Sequence, residues 1–143
     1  MSASSCEALA VDEGLFENSP VTPAVRANDS TDIWLAHGTG NYASQPSLPF
    51  RSADVERLRA MSPTDAQSSV DLGLYSITLN NDAAADRQTL ESFAEFRRQL
   101  LPLGFKYFLE VFPPNAPANP PADVARFICD PLVRTLAGLT SAE

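Results

Sequence analysis

Lysine is nearly absent: Lys106 is the only one in the chain, and no cluster of lysine and arginine occurs anywhere. With a formal net charge of -8 and a pI near 4.5, the chain repels phosphate backbones on average, so no nucleic acid partner is expected. Long apolar runs are missing as well. No stretch approaches the roughly 18 residues that cross a bilayer, and MSASSCEALA lacks the basic start and continuous apolar core of a signal peptide. A membrane is therefore not an expected partner either. Cysteine is scarce: Cys6 and Cys129 lie far apart and belong to no CxxC or Cys/His ligand pattern, so neither structural zinc nor another metal is expected. Their placement fits a thiol-reduced, cytoplasmic chain without a cofactor.

What is present fits one globular unit. The 143 residues suffice for a single domain with a core, and hydrophobic and charged shares of 44% and 20% are ordinary, with 12 prolines the one marked excess. Residues 1–30 carry Ser, Asn, Pro and acidic residues without sustained periodicity and read as an irregular N-terminal arm. Residues 31–143 then read as an α/β domain.

In that domain DIWLA, residues 32–36, is a short apolar run that ends in the glycine-containing loop His37-Gly38-Thr39-Gly40-Asn41. FRSADVERLRAM follows, where Ser52 or Asp54 can cap a helix bearing Val55, Leu58 and Met61 on one face, stopped by Ser62-Pro63. VDLGLYSITLNND, residues 70–82, is rich in strand-forming residues and ends in a capping cluster. From Ala83 to Leu101 a helical stripe of Leu90, Phe93, Ala94, Arg97 and Leu101 stands opposite an Arg87–Glu91 pair, and Pro102 to Gly104 ends the helix. FKYFLEVF is a third strand. Asn119 with Pro120 and Pro121 then opens a helix that Asp130-Pro131 restarts and that runs to Leu136, before Gly138.

Strand, helix, strand, helix, strand, helix, with crossovers of this length, predicts a parallel α/β fold whose later strands are covered on both faces. Such a β-α-β-α-β-α unit is either a small open sheet or part of a TIM (β/α)8 barrel, which in full takes about 250 residues. Three strands also leave two open sheet edges, so a homo-oligomer formed through those edges is an expected form.

In parallel α/β folds functional groups gather where the strands end. The rule selects the His37, Gly38, Gly40 and Asn41 loop as a backbone cradle for a small anion, Asn80 and Asp82 at the second strand end, and Glu110 with Asn115 at the third. Side chains alternate along a strand, so Lys106, Phe108, Glu110 and Phe112 share one face. Lys106 and Glu110 are nevertheless roughly 13 Å apart at about 3.3 Å per residue. Glu110 stands toward the functional end, where a carboxylate can move protons, and Lys106 at the opposite one.

LYSITLNND, then an amphipathic helix of about twenty residues, then GFKYFLEVFPPN, resembles the middle of class I aldolase-type (β/α)8 barrels, especially the tagatose-bisphosphate aldolase branch. The resemblance spans about residues 70–115. It implies a carbon-carbon lyase ancestry acting on phosphorylated sugars, with an imine-forming lysine and carboxylates that move protons. Glu110 corresponds to the glutamate of the FLE strand and Asp82 to the acidic strand end. Where this branch carries a lysine in the earlier strand, the alignment places Ser76. The resemblance thus implies an aldolase-like portion of a longer barrel, or a degenerate relative, that is inactive alone, with a phosphorylated sugar as substrate class. The other reading is a non-catalytic α/β module that binds a small anion or a protein partner.

Overall fold

The computed structural model describes residues 1–30, 44–61 and 70–139. The chain forms two compact units. The first unit comprises Met1–Asp29, Phe50–Tyr75 and Phe96–Glu110; the second comprises Ser30–Pro49, Ser76–Glu95 and Val111–Glu143.

Residues 1–30, expected as an irregular arm, carry regular structure. Ser2 accepts a bond from the Ser5 N–H at 3.1 Å and caps α1, Ala3–Cys6, which widens into a π-helical turn at Glu7–Asp12. Cys6 and Ala10, four apart on one face, are buried. The strands β1, Ala24–Arg26, and β2, Asn28–Ser30, follow. Three-residue strands are too short for period-two alternation to register, so only their pairing reveals them. The Met1 residue lies along β1: its amino group donates to the Ala24 carbonyl at 2.9 Å, and its carbonyl accepts from the Arg26 N–H at 2.7 Å. Those are the two bonds of a parallel bridge.

β3, Pro49–Arg51, pairs with β2 in a small two-stranded sheet. Asp54 caps α2, Val55–Met61, by accepting from the Arg57 N–H at 2.9 Å, and Val55 and Leu58 turn inward. The strand expected at residues 32–36 lies outside the described residues. The strand found beside β4, Leu72–Thr78, is β1, parallel and in the register Ala24 to Leu72, Val25 to Gly73 and Arg26 to Leu74.

After β4 come α3, Ala83–Leu100, a tight turn at Leu101–Leu103, and β5, Lys106–Phe112. Gly104 closes that turn at φ 61°, a left-handed conformation that glycine adopts without strain. The face that α3 buries is Thr89, Phe93, Phe96 and Leu100, rotated from the expected stripe, and Leu101 stays exposed. The long sheet is three-stranded and parallel, in the order β1-β4-β5, so an α/β fold is present. Gly73 on the central strand is closely approached: a Cβ there would lie 3.3 Å from the Phe105 ring, which would have to shift by a few tenths of an ångström to admit it.

The last helix, α4, is Val124–Leu136. Its cap is Asp123, which accepts from the Arg126 N–H at 3.0 Å, and not Asn119 as expected. A carboxylate next to the first turn outcompetes an asparagine followed by two prolines, whose rings hold the chain extended before the turn begins. Pro131 sits inside this helix rather than restarting it. β5 also departs from expectation: Phe108 and Phe112 are 46% and 37% exposed and Lys106 is exposed, so at these three positions the strand meets solvent.

Candidate functional site

The described strand-end groups of the second unit form a hydrogen-bonded cluster. β4 buries Ser76, Ile77 and Thr78 and delivers Leu79 and Asn80 into the interior, with Asn80 fully enclosed. A buried primary amide needs partners for its oxygen and its NH2 group. The Asn80 Oδ1 accepts from the Asn115 N–H at 3.0 Å and the Ala116 N–H at 2.8 Å, and its Nδ2 donates to the Asn115 Oδ1 at 3.0 Å.

Asn115 answers in kind. Its Oδ1 also accepts from the Ser47 N–H at 3.0 Å, and its Nδ2 donates to the Gln45 carbonyl at 2.9 Å. Each amide oxygen thereby holds two donors, which fills both lone pairs. The pair joins the end of β4, the loop after β5 and the segment 45–47. Asn80 and Asn115, the expected substrate contacts of this region, are thus brought together, and the bonds they make here are internal.

Asp82 has an equally defined position. Its Oδ1 accepts from the Ala84 and Ala85 N–H groups at 3.0 and 2.9 Å, and its carbonyl accepts from the Asp86 N–H at 2.8 Å, so it caps α3. The preceding Asn81 adopts φ 57° and donates from Nδ2 to the Asn119 carbonyl at 2.8 Å. Asparagine tolerates that left-handed conformation better than most residues.

A residue that sequence reasoning passed over completes the cluster. The Asp86 carboxylate turns back over the start of α3 and accepts from the Asn80 N–H at 2.6 Å and from the N–H groups of Asn81 and Asp82. Three consecutive amides converging on one carboxylate form the kind of nest that binds an anion, and here the protein supplies the anion. Burial raises the Asp86 carboxyl above its ordinary value; the three amide bonds pull it down, and the neighbouring Asp82 charge pushes it up. The signal available in the sequence was an aspartate one helical turn after Asn-Asn-Asp, a spacing that lets a side chain reach the amides at the helix start.

The other expected residues fall elsewhere. Glu110, on β5, is half-buried and belongs to the first unit, whereas Asp82 belongs to the second. Its partial exposure answers why an apolar strand tolerates a carboxylate there: solvent reaches that face, and desolvation is incomplete. Lys106 is exposed at the start of the same strand. His37, Gly38, Gly40 and Asn41 lie outside the described residues. Ser76, which the expected resemblance sets against a lysine, is 2% exposed.

Among the described residues no three His, Cys, Asp or Glu side chains are grouped so as to hold a metal ion, and no helix is long and apolar enough to cross a membrane. Comparison with protein-family models, curated proteins and solved structures finds no match to this chain.

Proposed function

We propose that this chain is an aldolase-like α/β module, a portion of a (β/α)8-type barrel in ancestry, that performs no imine chemistry and acts through binding. Strands β1, β4 and β5 lie parallel and in chain order, with α3 as the crossover between the last two, which supports a likeness to consecutive barrel staves. The observation that carries the non-catalytic reading is the placement of the one lysine. Imine formation needs a desolvated lysine beside the substrate carbonyl. Lys106 is exposed at the opposite end of its strand from Glu110, and the aligned position in β4 holds a serine hydroxyl that forms no imine.

The carboxylates point the same way. Asp82 is engaged as a helix cap, and the amide nest of Asn80, Asn81 and Asp82 already holds Asp86, so neither offers an open seat for a phosphorylated sugar or another small anion. Borohydride trapping tests the reading directly. The chain is incubated with a panel of phosphorylated ketoses and aldehydes, reduced, and weighed intact by mass spectrometry. No mass increase is expected; a covalent adduct at Lys106 would overturn the non-catalytic assignment.

A further inference from the structure

Between β5, which ends at Phe112, and α4, which starts at Val124, the chain runs PPNAPANPPAD. Five of these eleven residues are prolines, which offer no N–H to a strand or helix, so side chains take over the work of fixing the loop. We propose that the proline-rich loop and α4 form a strap, latched over the end of β4 by Asn80 and Asn81, that opens as one unit while α3 stays folded. Strap and latch lie in the second unit, and their geometry is independent of the aldolase likeness.

The latch consists of bonds from two consecutive asparagines. Asn80 Oδ1 accepts from the Asn115 and Ala116 N–H groups at 3.0 and 2.8 Å, and Asn81 Nδ2 donates to the Asn119 carbonyl at 2.8 Å. Asn80 is itself held on the other side, because its N–H donates to the Asp86 carboxylate at the start of α3. The fixed partner is thus the strand end and the held partner is the loop. From the latch to the helix the chain is stiff: Pro117, Pro120 and Pro121 fix φ along the path to Asp123, which caps α4. A released loop therefore takes the helix with it.

Burial sets which side yields. In the second unit α3 buries Thr89 and Phe93 completely, whereas none of the thirteen residues of α4 is buried, and its Val133 and Leu136 are 67% and 41% exposed. Segments with little buried apolar surface open at the lowest free energy. Opening has a chemical consequence, because Asn80 is fully enclosed in this structure and stands where parallel α/β folds gather functional groups. The closed strap satisfies that amide internally. The open strap presents its oxygen and its NH2 group to solvent.

Hydrogen exchange of the whole chain, followed amide by amide in urea below the unfolding transition, tests the strap. Asn115, Ala116 and the α4 amides should exchange through one shared opening, with a weaker urea dependence than the α3 amides around Phe93 because less surface is exposed. Asn81→Gly removes the bond to the Asn119 carbonyl and leaves φ 57° unstrained, since glycine adopts that conformation freely. Relative to α3, exchange at Ala116 and in α4 should rise by about fivefold in N81G. Trypsin supplies a second reading, because Arg126 and Arg134 lie in α4 and Arg97 lies in α3. Cleavage of an opened form follows its population, so N81G should speed the cuts after Arg126 and Arg134 relative to the cut after Arg97. Circular dichroism confirms that the variant is folded. An α4 that exchanges in step with α3, an α4 that opens without Asn115 and Ala116, or an N81G chain whose strap and α3 keep their original ratio would each overturn the proposal.

Discussion

The two compact units are held together by different means. In the first, Val25, Ala27, Val55, Leu58, Val70, Tyr75, Phe96, Leu100 and Phe105 are buried, and Asn28 is the only buried polar residue among those described. Phe96 is buried there, stacked on Tyr75 with ring centroids 4.4 Å apart and edge-on to Tyr107 at 5.9 Å. In the second, Ile77, Leu79 and Phe93 share the interior with Ser30, Ser47, Ser76, Thr78, Asn80 and Thr89. Apolar packing tolerates changes of shape but not of volume, whereas a buried polar network tolerates neither a lost partner nor a moved one. The strand β4 contains the transition within seven residues, from LGLY in the first unit to SIT in the second.

Phe96→Ala gives the largest expected effect on this contrast. Removing a buried aromatic ring costs about 3–5 kcal/mol, a large share of an ordinary domain's stability, and urea denaturation measures it. Hydrogen exchange at the Asn115 and Ala116 amides reports separately on the second unit. Undiminished protection there sharpens the distinction between the units, and an equal loss shows that they unfold as one.

Asn80→Ala comes next. It strands the N–H groups of Asn115 and Ala116 and one lone pair on the Asn115 Oδ1, each of them part-buried, and about 2–3 kcal/mol of destabilisation is expected. Faster exchange at Asn115 and Ala116 should accompany the loss. A variant as stable as the parent would break the claim that amide bonds hold this unit.

The smallest effect belongs to Asp86→Asn and is read through pH. Because the folded-state carboxyl is raised above the ordinary value of 3.8, its stabilising contribution is complete below that value and is lost as pH rises through the folded one. The asparagine variant does not titrate, so its stability relative to the parent should increase over that rise. The group is half-exposed and the difference stays below about 1 kcal/mol. The opposite slope would mean that the three amide bonds outweigh burial in the nest.

Much of the central architecture was legible in the sequence because it is written locally. The 72–78 strand, the long helix from Ala83, the turn at Gly104, the 106–112 strand and the Asp54 cap all follow from periodicity, capping residues and glycine. The segments that misled are those whose structure depends on distant partners. β1 is three residues long and is a strand because β4 lies beside it, and the buried face of α3 includes Thr89, which no apolar periodicity would choose. Asn119 and Asp123 both look like caps, and only the path of the proline-rich loop decides between them.

The candidate site divides along the same line. The sequence by itself determined that Asn80, Asp82, Glu110 and Asn115 stand at strand ends, because alternation and turn chemistry place strand termini. It also separated Lys106 from Glu110, since backbone rise is a constant of the strand. Only the tertiary structure decided that Asn80 and Asn115 bond to each other, that Asp86 fills the amides at the start of α3, and that Lys106, Phe108 and Phe112 are exposed. Hydrogen-bond partners and burial are properties of residues far apart in the chain, and no local pattern carries them.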